Sequence, residues 1–219
     1  MGWSFNKILK MKKTIIFGNN QFAELANYYL SVDSEKVVEC FCVDEEHKSR
    51  NHINNIPVFS FEYVCKNYSP EFFDFFVPLY SNELRFKISK KIESFGYELI
   101  SYISSKAHTW NSKIGKNCFI FEGVNIQPFC FVGDNVIIWS FSHIGHHSVV
   151  KSNSFISGNV VVAGNNTIEE NCFLGTNCTT KNGIKICKNT IIGQDASVVK
   201  SILEENNTWV GIPAKILST

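Results

Sequence analysis

Five consecutive hexads, VGDNVI IWSFSH IGHHSV VKSNSF ISGNVV, fill residues Val132 to Val161, and each opens on a branched aliphatic residue. The register runs unbroken in both directions. In steps of six from Ile114 to Val198, fourteen of fifteen positions are Ile, Val or Leu, and the exception is Thr180. A helix repeats every 3.6 residues and an alternating strand every 2, so neither accounts for a period of six. The fifth residue of each hexad is mostly small, as at Cys118, Cys130, Ser142, Ser148, Ser154, Cys172, Cys178 and Ala196. One large and one small side chain per edge is what a narrow three-sided interior accepts. The fourth residue adds a longer period: Asn117, Asn135, Asn153, Asn171 and Asn189 recur every eighteen residues. Asparagine tolerates positive φ, so these positions predict one column of corners, with three hexads per coil and about five coils spaced ~4.8 Å apart.

Residues 11–102 follow another rule. Thr14–Phe17, Val37–Val43 and Phe72–Leu79 read as strands. A helical pattern runs to Leu30, and Leu84, Ile88, Ile92 and Phe95 mark the inner face of a second helix. Alternating strands and helices imply a small parallel sheet, with a ligand site where the turns after Phe17, Val43 and Leu79 converge. The expected order is therefore a small α/β domain over residues 11–102 and a parallel β-helix with a C-terminal tail over 103–219. Residues 1–10 read as an extension ahead of a second start at Met11.

Composition narrows the function classes. With 44% hydrophobic and 19% charged residues the chain buries a core, and a net charge of +1 argues against nucleic acid as a partner. No apolar run reaches the roughly 18 residues of a membrane span, and Met1–Lys10 lacks the apolar stretch of a signal peptide. Four of the eight cysteines sit in the small interior slot, which makes them core filler and points to a reducing, cytoplasmic compartment.

Three of six histidines fall together in Ser142-His143-Ile144-Gly145-His146-His147-Ser148. With Ile144 inward, all three face outward, leaving a solvated surface, a metal site or acid–base catalysis. A closed zinc site lacks its fourth ligand here, so no metal is expected. A base with a near-neutral pKa suits the third reading. Gly164 and Ala163 lie one coil beyond His146 and Gly145. Ser157, Gly175 and Gly193 form a column of small residues along which a long thin molecule could lie.

The ladder, the outward His146 and the tail Val210-Gly211-Ile212-Pro213-Ala214-Lys215 resemble the hexapeptide-repeat acyltransferases. The leading α/β domain makes the chain similar to their NeuD-like group, which includes sialic acid O-acetyltransferases and N-acetyltransferases of nucleotide-linked amino sugars. The resemblance covers Met11 to Leu217. It implies a left-handed β-helix, a homotrimer with the acyl-CoA cleft between subunits, and acetyl-CoA or another acyl-CoA as co-substrate. The family base matches His146, and His147 stands where relatives often have an acidic residue. Phe155 stands where some have a second histidine against the acetyl group. Gly164 matches a glycine of the acyl-CoA cleft, with Ala163, Ser157, Gly175 and Gly193 beside it. Gly18, Asn19, Asp44, Asn82 and Arg85 match positions around the nucleotide-sugar pocket. The implied activity is acyl transfer to the amine of a nucleotide-linked sugar, with transfer to a sugar hydroxyl and a non-catalytic β-helix scaffold as the alternatives.

Overall fold

The computed structural model describes residues 12–217, so the expected extension at residues 1–10 lies outside the described part. The first domain consists of β1 (Lys13–Phe17), α1 (Gln21–Asp33), β2 (Val38–Val43), β3 (His52–Ile53), β4 (Ile56–Ser60), α2 (Phe61–Asn67), β5 (Phe73–Phe76) and α3 (Asn82–Ser94). The sheet order is β3-β4-β2-β1-β5, parallel except for the β3–β4 hairpin. Asn20, Ser60 and Ser81 start the three helices by accepting hydrogen bonds from first-turn N–H groups. The chain leaves β1 towards β2 and β4 but returns to β5 on the other side. This reversal opens a crevice at the strands' C-terminal ends.

The hairpin and α2 are absent from the sequence reading. Their signal was the pair Asn54-Asn55, both at positive φ (47° and 65°), as a two-residue hairpin turn requires. The inner face of α3 also differs from expectation. Leu84 and Phe95 are exposed, and the buried set is Arg85, Ile88, Ser89 and Ile92.

From Tyr102 onward the chain forms a left-handed parallel β-helix of two-residue strands, closing into three sheets of eight, five and five strands. Every inward aliphatic position from Ile120 to Val198 is buried, as are the small residues between them. Asn117, Asn135, Asn153, Asn171 and Asn189 all adopt positive φ between 52° and 63°. Their amides bond up the stack, for example Asn135 Nδ2 to Asn153 Oδ1 at 3.0 Å. All eight cysteines are free thiols, and burial pushes Cys118, Cys172 and Cys178 up to about 12.

The eight-stranded face is not solvated. Phe119, Ile137, Phe155 and Phe173 project from it at intervals of eighteen residues, with Phe121 and Trp139 beside them. They pack against Ile16, Ala23, Ala26, Leu30 and Phe41 of the first domain, and Phe121 stacks on Trp139 at 4.3 Å. Polar contacts lock the same seam. Asp33, at the end of α1, accepts hydrogen bonds from Ser105 Oγ, Tyr102 Oη and Ser104 Oγ, which hold its carboxyl well below the usual carboxylate range.

The far end of the coil is closed by the tail. Ile202 bridges to Ile186, Thr208–Val210 pairs with Ile191–Ile192, and Ser197 bonds to Gly211 and Ala214. Lys215–Ile216 then folds back antiparallel on Trp209–Val210.

Candidate active site

A hexad turns its corner at the fourth position, and in the hexad of residues 144–149 that position is His147, at φ 57°. His146 precedes it, so both imidazoles stand exposed on one corner while Ile144 and Ser148 point inward. Backbone bonds fix the corner: Gln127 Oε1 accepts from His146 N at 2.9 Å, and Asn165 N donates to His146 O at 2.8 Å. The Gln127 contact was not visible in the sequence reading, although Gln127 lies one coil before Gly145.

The His146 ring lies across Gly164. A Cβ built on Gly164 would come within 2.7 Å of Nε2 and 2.8 Å of Cε1, so only glycine leaves room for the imidazole. The Gly164 N–H has no partner among the described residues, whereas Ala163 N is bonded to Thr180 Oγ1 at 3.1 Å. An exposed imidazole beside a free N–H offers a proton acceptor and an oxyanion donor within one small region. Gly164→Ala should therefore push the ring aside and lower kcat by roughly 10- to 100-fold with the melting temperature little changed. Steady-state kinetics alongside a thermal melt check this.

His143 sits on the flat of the same face, in register with Asn125 and Val161, and burial lowers its pKa. The column Ser157, Gly175 and Gly193, the expected cofactor track, is closely packed. Ser157 is buried, a Cβ on Gly175 would meet Gln194 N at 2.6 Å, and one on Gly193 would meet Val210 at 2.8 Å. Close stacking on the next layer demands glycine at 175 and 193, and Gly193 stays half-exposed. Phe155 is likewise not in an acetyl pocket of its own subunit. It is buried on the face toward the first domain, 4.6 Å from the Tyr80 ring and 5.3 Å from that of Phe173.

In the first domain the three expected turns do converge. Asn20, Gln21, Phe22, Leu25, Arg50 and Tyr80, with Trp139 of the β-helix, line a cleft of about 650 Å³. Arg50, its exposed cation, was missed in the sequence. Gly18 has φ 136° and lies under α1, where a Cβ would be 3.1 Å from that of Ala23. Asn19 ties two loops together, donating to His47 O and Ser49 Oγ. Asp44 does not line the cleft; it pairs with Lys91 at 2.6 Å. Asn82 donates to Cys172 O and accepts from Arg85. Arg85 is fully buried, so its assignment to the sugar pocket is corrected to a clamp between the domains.

Residues 129–164 match the model of the bacterial transferase hexapeptide (six repeats), and residues 165–196 match the hexapeptide repeat of succinyl-transferase. The β-helix thus carries transferase-type hexapeptide repeats over residues 129–196. No curated protein matches in sequence. Among solved structures, the chain is similar to perosamine N-acetyltransferase of Caulobacter crescentus, crystallised as a point mutant with CoA and GDP-perosamine. The two are 22% identical, with 94% of this chain and 97% of that one covered and a TM-score of 0.87. It is also similar to the acetyltransferase domain of PglB from Neisseria gonorrhoeae, at 21% identity, 94% and 100% coverage and a TM-score of 0.84. WeeI of Acinetobacter baumannii follows at 22% identity, 94% and 100% coverage and 0.67. The shared fold thus spans both domains of this chain. Among the described residues no helix is long and apolar enough to cross a membrane, and no cluster of metal-ligating side chains occurs.

Proposed function

We propose that the protein is an acyl-CoA-dependent N-acyltransferase, with acetyl as the expected acyl group, acting on a nucleotide-linked amino sugar. The observation that carries this reading is His146, held exposed across Gly164 beside an N–H with no partner among the described residues, in a fold shared over 94% of the chain with perosamine N-acetyltransferase and with the acetyltransferase domain of PglB.

The chemistry is direct transfer. The sugar nitrogen attacks the thioester carbonyl, and His146 takes the nitrogen's proton as the C–N bond forms. The Gly164 N–H bonds to the oxygen that becomes negative. The C–S bond then breaks, the carbonyl re-forms, and the proton passes to the departing thiolate. No covalent enzyme intermediate is required, since the cysteines of the coil are buried and their thiols are pushed up by burial. His147 and His143 flank His146 and are expected to act through it rather than on the substrate. Gly164 and Ala163 border the acyl-CoA groove.

The acceptor's nucleotide belongs in the cleft of the first domain. Arg50 supplies a cation for a diphosphate, and Phe22, Tyr80 and Trp139 supply ring faces for a base or sugar. Asn20 already caps the N–H groups of Phe22 and Ala23, so the helix start offers less to a phosphate than Arg50 does. Gly18 and Asn19 shape this cleft rather than touch its contents.

In this reading the enzyme is a cytoplasmic homotrimer. A convex prism carries His146 on an outer corner, and an adjacent subunit supplies the second wall of the groove. The deciding experiment incubates the protein with acetyl-CoA and a panel of nucleotide-linked amino sugars under mass detection. A gain of one acetyl group on the amine is expected. Acetylation of a hydroxyl would change the acceptor. Absence of both product and an acetyl-CoA thermal shift would leave a non-catalytic scaffold.

A further inference from the structure

The corner at residues 129, 147, 165 and 183 is one column of the coil, and asparagine or glycine holds its later positions. His147 breaks that pattern on the coil that carries His146. Its imidazole is not free: Nδ1 lies 3.1 Å from Nδ1 of His146, with the rings nearly perpendicular at 86°. From below, Phe129 holds the His147 ring at 4.8 Å, itself in a left-handed conformation at φ 68° that a phenylalanine rarely adopts. Phe129, His147, His146 and Gly164 thus form a continuous stack in which each ring is set by its neighbour.

A neutral imidazole has one N–H and one lone pair. Two Nδ1 atoms at this distance attract only if a single proton lies between them, so the two tautomers are coupled. If His147 donates, His146 carries its own proton on Nε2 and has no lone pair there. If His146 donates, its Nε2 lone pair faces the groove over Gly164. We infer that His147 is a positioning residue that accepts the Nδ1–H of His146 and so holds the His146 Nε2 lone pair toward the acceptor. This rests on the acyl-transfer reading.

Asparagine is the discriminating replacement. Its Oδ1 sits one bond beyond Cγ, as Nδ1 does, it only accepts there, and it suits the corner as Asn165 does one coil later (φ 58°). Leucine has similar bulk and no acceptor. His147→Asn should keep kcat within about threefold of wild type, while His147→Leu should lose about tenfold or more in kcat with KM for acetyl-CoA nearly unchanged. Equal rates in all three proteins would overturn the proposal, as would an asparagine variant as slow as the leucine one.

The second measurement needs no turnover. Long-range proton–nitrogen spectra of histidine-labelled wild type, taken about two pH units above the ordinary histidine value, read which ring nitrogen is protonated. The His146→Ala and His147→Asn spectra assign the signals. The expected pattern is Nδ1–H on His146 and Nε2–H on His147, and the reverse overturns the proposal. Because this is read without substrate, a wild type that transfers nothing counts against the acyl-transfer reading alone.

Discussion

His146→Ala should lower kcat by about 100- to 10,000-fold, the range over which a positioned general base contributes. The loss should appear equally in kcat and kcat/KM, because in the proposed transfer the ring acts on a proton that moves only as the C–N bond forms. Folding should survive, since His146 is exposed and its backbone bonds to Gln127 and Asn165 do not involve the imidazole. A variant retaining more than about a tenth of wild-type turnover would remove His146 from the base role. Residual activity from binding and orientation is expected, as holding two reactants together contributes much of the acceleration on its own.

Arg85→Ala should cost about 3–5 kcal/mol of stability, since several buried acceptors each lose a charged donor at about 1–3 kcal/mol before the site relaxes. The guanidinium is wholly enclosed and faces no carboxylate among the described residues. It donates instead to the carbonyls of Asn135, Leu79, Tyr80, Asn153 and Ser154 and to Asn82 Oδ1. Burial pushes its pKa down to about 9, which leaves it charged at neutral pH. Six acceptors from α3, the loop ahead of it and the β-helix would lose this donor; Ser154 O keeps its bond from Ile137 N, and each acceptor left without a partner adds its own penalty. Beside it, Ser89 donates to Asn135 Oδ1, and Asn117 bonds Val77, so the clamp spans the seam. At roughly 2–4 °C per kcal/mol for a chain of this size, the melting temperature should fall by about 10 °C. Denaturant unfolding with probes in each domain would show whether both lose stability together, as a shared clamp requires.

The β-helix was legible because its rule is local and repeated. Inward Ile144 and corner Asn153 answer to constraints that recur at the same hexad position whatever surrounds them. Its handedness came only with the family resemblance. The corner histidines were legible for the same reason, since Ile144 inward places His146 outward. What one coil packs against is a different kind of fact. The recurrence of Phe119, Ile137, Phe155 and Phe173 every eighteen residues carried the docking face, and the analogy with a family histidine drew Phe155 toward the acetyl group instead. Arg85 and Ser89 shifted the reading of α3 by one residue, because polar side chains on a buried face look solvated until their partners are known. Arg50 escaped notice because its place in the cleft follows from the path of the loop after β2, which no short-range pattern encodes.

The tail that covers the last coil has a consequence for how the protein behaves in a crowded solution. A parallel stack ends in bare amide edges that any similar strand could extend, and such edges seed end-to-end polymers. Here Ile202, Thr208–Val210 and the Gly211–Ala214 segment each occupy one of the three edges, and the final antiparallel pairing breaks the parallel template. A chain cut just ahead of Ile202 would keep its histidines and its seam yet offer three sticky rims. Growth into filaments, rather than loss of chemistry, would be its first failing.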